Sequence, residues 1–169
     1  MSKAEARLSQ LALKRVAAVA ITVLVLDQLT KRLAVQALDR GQRESFLPLI
    51  DLVHVRNDGV AFSSFAGSQV IVGLLVSVAL VALAVWFLRN RTRPLAWLAA
   101  GMLLGGAVGN IIDRILEGAV IDFLKPPNWP AFNLADVSIV VGMVLLVYVV
   151  ERDHRREERD ARSRAQAHG

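Results

Sequence analysis

The chain has no cysteine among its 169 residues. That excludes disulfides, thiolate metal sites and a cysteine nucleophile. Histidine is scarce: His54, His154 and His168 are scattered, and two of them fall in a charged C-terminal tail. A histidine metal cluster is not expected, and no metal or cofactor is assigned. Charge is missing over long stretches. Val60–Leu88 carries none over 29 residues, Pro94–Ile112 none over 19, and Val137–Val150 none over 14.

What is present is apolar and comes in blocks. Hydrophobic residues make up 54% of the chain, too many for an ordinary soluble domain of this size. The net charge is +5, but the basic residues flank the apolar runs. Nucleic-acid binding needs a basic face with groove-reading or stacking groups, so no such partner is expected. Flanking bases are instead the pattern of membrane topology.

The fold class expected is a mainly α membrane protein with four transmembrane helices, over about 12–33, 69–88, 94–113 and 134–151. The first run has a rival reading as a signal peptide. Asp27 and Lys31 interrupt it and three more spans follow, so a retained helix fits better. Lys3, Arg7, Lys14, Arg15, Arg89, Arg91, Arg93 and the six arginines from Arg152 to Arg164 put 13 of 20 basic residues on one side. Both termini are therefore expected in the cytoplasm. Residues 1–11 form the N-terminus, 12–150 the membrane domain and 152–169 a solvated, partly helical or disordered tail.

Two segments face outward. Residues 38–66 hold Leu47–Arg56, which partly alternates and suggests one or two strands, then the turn signal Asn57-Asp58-Gly59. Residues 114–133 form a loop in which Pro126, Pro127 and Pro130 favour extended backbone. With this topology, Asp27, Lys31, Asn110, Asp113 and Asp136 all fall at outward helix ends. Asn57, Arg114 and Asp122 lie in or beside the outward loops.

Each motif has a plain reading beside a functional one. Asp27 and Lys31 share a helix face at i, i+4 and serve either as scaffold or directly in a reaction. Gly105, Gly106 and Gly109 read as close helix packing. Arg114 reads equally as a substrate carbonyl donor or a headgroup anchor. Asn57-Asp58-Gly59 reads as a turn or as part of a site. A serine–lysine mechanism has no distinctive serine among Ser63, Ser64, Ser68 and Ser138. An ion pathway would spread its charges through the membrane instead of gathering them at one depth. Asp122 and Asp136 are different: two carboxylates held together in apolar surroundings cannot both ionise easily, so the pair shares a proton and activates water.

The set Asp27-x-x-x-Lys31, Asn57-x-Gly59-x-Ala61-Phe62, Gly105-Gly106-Ala107-x-Gly109-Asn110-x-x-Asp113-Arg114, Val120-x-Asp122-Phe123 and Phe132-Asn133-x-Ala135-Asp136 resembles bacterial lipoprotein signal peptidase, signal peptidase II. All five blocks occur in the family's order. The resemblance implies a four-helix inner-membrane aspartic endopeptidase, a monomer with no cofactor, bearing a small extracytoplasmic β-sheet cradle and a short helical loop over the site. It implies Asp122 and Asp136 as the catalytic dyad at the outer face. Asn57, Gly59, Asn110, Asp113, Arg114 and Asn133 would line the site, supported by Asp27 and Lys31. The implied partners are membrane lipid, prolipoproteins already diacylglyceryl-modified on a cysteine and cleaved on its N-terminal side, and globomycin-type cyclic peptide inhibitors.

Overall fold

The computed structural model describes residues 3–57 and 68–167. Its elements run α1 (Lys3–Ala37), β1 (Arg43–Leu47), β2 (Ile50–Asn57), α2 (Ser68–Asn90), α3 (Ala96–Glu117), β3 (Val120–Lys125) and α4 (Leu134–Ala167).

Small residues decide how the helices meet. α3 packs mainly against α1 and α4. A Cβ on Gly105 would lie 2.7 Å from the Ala20 carbonyl oxygen of α1, and one on Gly106 2.6 Å from the Ala135 carbonyl oxygen of α4. The close-packing reading of these glycines holds, because their backbones touch neighbouring helices where any side chain would collide. At the opposite end of the helices from the sheet, Ala12, Phe87, Ala96, Ala100 and Val149 form a buried cluster.

Three helices are long and apolar enough to cross a membrane: Ala6–Ala37, Ala96–Glu117 and Leu134–Arg156. The apolar part of α2 among the described residues, Leu74–Asn90, is shorter. Ile21, Val25, Leu74, Val78, Val81, Val140, Val144 and Val147 are all more than half exposed. Water would not tolerate so much bare aliphatic surface, whereas lipid does. At 1.5 Å per residue, α1 (35 residues) and α4 (34 residues) outrun the roughly 30 Å of a bilayer core, so each continues beyond its expected span. The tail up to Ala167 is a continuous extension of α4.

The expected cradle is a three-stranded antiparallel sheet in the order β1-β2-β3. Leu47–Arg56 resolves into the end of one strand and most of the next, because Pro48 and Leu49 make a tight turn with Leu49 at φ 68°. The third strand comes from the second outward segment, which the sequence presents as a loop. Gly118, at φ 72°, ends α3 with its N–H on the Arg114 carbonyl and turns the chain into β3. The expected short helical loop has no counterpart among the described residues: 118–133 is strand and turn, and 58–67 lie outside them.

Candidate active site

The Pro-rich turn folds back on β3. Phe132 donates to the Leu124 carbonyl at 2.9 Å, and its own carbonyl accepts from Phe123 and Leu124. This places Asn133 against Asp122. Asn133 also starts α4 as its N-cap. Its Oδ1 accepts the Asp136 N–H at 2.9 Å, and its own N–H donates to Asp136 Oδ2 at 3.3 Å. That is a capping box with Asp in the role usually held by Glu or Gln. The three-residue spacing before an apolar run is its sequence signature, and the sequence reading did not use it.

Asn133 is completely buried, and its Nδ2 donates to Asp122 Oδ1 at 2.7 Å. One side chain therefore touches both aspartates. From the sheet, Asn57 Nδ2 donates to Asp122 Oδ2 at 2.9 Å. Val55 pairs with Asp122 and Asn57 with Val120, so Asn57 and Asp122 are diagonal neighbours on one face of the sheet. From α3, Asn110 Nδ2 donates to Asp136 Oδ1 at 2.8 Å. Burial pushes the Asp122 carboxyl up to about 6; the nearby Asp136 adds to the rise, while the Asn57 and Asn133 amides oppose it.

Behind this pair lies a second buried layer. Lys31 Nζ is 2.7 Å from both Asp27 Oδ2 and Asp113 Oδ2, and donates to Asn110 Oδ1 at 3.0 Å. Its cation thereby fixes which end of the Asn110 amide turns toward Asp136. Asp27 Oδ1 accepts the Ala135 N–H at 2.8 Å, in the first turn of α4. A negative group there is favoured by the helix dipole. Gly109 leaves room for it: a Cβ would lie 2.6 Å from Asp27 Oδ2. Asp113 Oδ2 also accepts the Ile121 N–H of β3 at 3.2 Å. Gln28, not foreseen from the sequence, donates to Asp113 Oδ1 at 2.8 Å. Its position beside Asp27 in an otherwise apolar run was the available signal.

The structure thus joins Asp27, Lys31, Asn57, Asn110, Asp113, Asp122, Asn133 and Asp136 into one network. Arg114 is exposed and donates to the Asn110 backbone carbonyl at 3.2 Å, so it caps its own helix and not an aspartate. Gly59 lies outside the described residues. Deeper in the bundle, a cleft of about 520 Å³ opens between α2, α3 and α4, lined by Leu80, Leu83, Leu103, Ala107, Ile139 and Met143 among others. Ala107 and Ile139 are each one helical turn from Asn110 and Asp136. Four carboxylates and one lysine leave the network short of positive charge, and burial favours retention of a proton on Asp122.

Residues 19–151 match the family model of signal peptidase (SPase) II. A lipoprotein signal peptidase of Moorella thermoacetica is 42% identical over 134 residues, covering 76% of this chain and 87% of its own. One from Rhodopseudomonas palustris is 40% identical over 142 residues, covering 76% and 86%. A solved bacterial membrane enzyme superposes with a TM-score of 0.74 at 28% identity, covering 82% of this chain and 88% of that one. The network of buried acids and amides on an apolar helical frame is thus found in a bacterial membrane peptidase, and the chain belongs to the signal peptidase II family.

Proposed function

We propose that the protein is an intramembrane aspartic endopeptidase that removes the signal peptide from diacylglyceryl-modified prolipoproteins. It cleaves on the N-terminal side of the lipidated cysteine. Asp122 and Asp136 share one proton, and the ionised member takes a proton from the attacking water. The protonated member polarises the scissile carbonyl and then donates to the leaving amine. The observation that carries the reading is the placement of Asn133 between the two carboxylates, with Asn57 and Asn110 each donating to one of them. Three side-chain amides hold three of the four carboxylate oxygens and the Asn133 backbone N–H takes the fourth, so the pair meets substrate pre-oriented. The apolar cleft one turn from the site suits the hydrophobic segment of the signal peptide.

A substrate anchored by its lipid stays in the bilayer, so the chemistry belongs at its edge. The purified enzyme is expected to cleave a diacylglyceryl-modified prolipoprotein at least tenfold faster than the unmodified precursor. Equal rates would remove the lipid from the specificity.

All four helices cross the membrane in this reading, with the sheet outside and both termini in the cytoplasm. A reporter that works only in the cytoplasm, fused after Gly169, is expected to be active. Activity of a periplasm-dependent reporter at the same position would reverse the topology.

A further inference from the structure

The family match ends at residue 151, yet α4 continues without a break to Ala167. At 100° per residue, Arg152, Arg155, Arg156, Arg159 and Arg162 fall within an arc of about 120° on this extension. The five acids of the same stretch all fall at other positions round the helix. Four of these arginines, with Tyr148 and Glu151, line a shallow hollow of about 470 Å³. Among the described side chains, ion pairs engage Arg155 with Glu151 at 2.8 Å and His154 with Glu158 at 3.2 Å. Arg93 in the α2–α3 turn pairs with Asp153 at 2.7 Å and braces the start of the extension from its other side.

The arginine stripe continues an apolar one. Val137, Val141, Val144 and Tyr148 lie on the same face and are 39–63% exposed. From Val137 to Tyr148 is about 16 Å along the helix, close to half of a ~30 Å hydrocarbon core. The part of α4 long and apolar enough to cross a membrane runs from Leu134 to Arg156 and is uncharged from Val137 to Val150, so the first arginines fall at its headgroup end. We propose that this face is a binding site for anionic phospholipid. The acyl chains lie along the valines, Tyr148 sits at the interface, and the arginine forks take the headgroup phosphate. A nucleic acid or an acidic protein would use the arginines but not the collinear apolar stripe.

The test reads lipid retained by the full-length protein in neutral detergent, by native mass spectrometry, with no peptide substrate present. It is therefore independent of the peptidase reading. The wild-type protein is expected to hold phosphatidylglycerol at least tenfold more tightly than phosphatidylcholine. The variant R152Q/R155Q/R156Q/R159Q is expected to lose that preference, while R164Q, on the opposite face, keeps it. Single variants R156Q and R159Q, each expected to weaken retention about fivefold, carry the test if the fourfold variant does not fold. Equal retention of the two lipids by the wild type would overturn the proposal, as would undiminished phosphatidylglycerol retention in the variants. So would displacement of the lipid by an equimolar oligonucleotide or by inorganic phosphate.

Discussion

Asp122→Asn and Asp136→Asn are each expected to lower cleavage of a lipidated prolipoprotein by at least about a thousandfold, with the protein still inserted and folded. The substitution is close to isosteric and keeps one carbonyl oxygen. Asn at 136 can still accept the Asn133 N–H, so it preserves the capping box while removing the acid. A residue that only capped α4 would survive this change with activity near normal. That outcome, measured by turnover of the purified variants, would end the dyad assignment. At 122, both oxygens accept amide donors, from Asn57 and Asn133. An Asn there turns one acceptor into a donor, and the exposed Asn57 is the partner able to rotate in response. The fold is thus expected to survive both changes.

The same pair sets a pH dependence. With Asp122 pushed up to about 6 by burial, rising pH strips its proton near that value and removes the acid that the proposed mechanism needs. kcat/KM, which reports the unliganded enzyme, is expected to decline above about pH 6. The Asn57 amide favours the ionised carboxylate. Asn57→Ala is therefore expected to raise the Asp122 value further and move the alkaline limb to higher pH. A limb that stays in place, or moves to lower pH, would show that Asp122 does not govern it.

Composition alone delivered the apolar helices, since long charge-free blocks need no knowledge of contacts. It also gathered most of the polar residues that meet at the site, because topology alone aligns the ends of helices. The third strand was not legible. Val120–Lys125 is apolar but for Asp122 and Lys125, and only its pairing with Ile50–Asn57, more than sixty residues away, makes it a strand. The Asn133–Asp136 cap was legible from spacing but submerged in a motif that already had a meaning. The i, i+4 relation of Arg114 to Asn110 is real, but it leads to the backbone carbonyl and not to the side chain. The i, i+4 spacing of Asp27 and Lys31 foretold one ion pair and hid another, since Asp113 lies on a different helix.

That hidden partner gives Lys31 the second large effect. Lys31 is 2% exposed and, among the described residues, the sole cation within 4 Å of two acids that are themselves 0% and 4% exposed. Lys31→Met leaves Asp27 and Asp113 buried together without a counter-charge, a change that typically costs about 3–5 kcal/mol. Thermal unfolding in detergent is expected to show it as a large drop in midpoint. Neutralising one acid as well, in Lys31→Met with Asp113→Asn, is expected to restore part of that stability, since one like-charge contact is gone. Activity is expected to stay low in the double variant. The Asn110 amide, whose Oδ1 receives Lys31 and whose Nδ2 reaches Asp136, then keeps only the longer 3.2 Å donation from Asn133 Nδ2 on its oxygen. If activity returned along with stability, Lys31 would be a counter-ion alone; if stability returned without activity, it positions the dyad through Asn110.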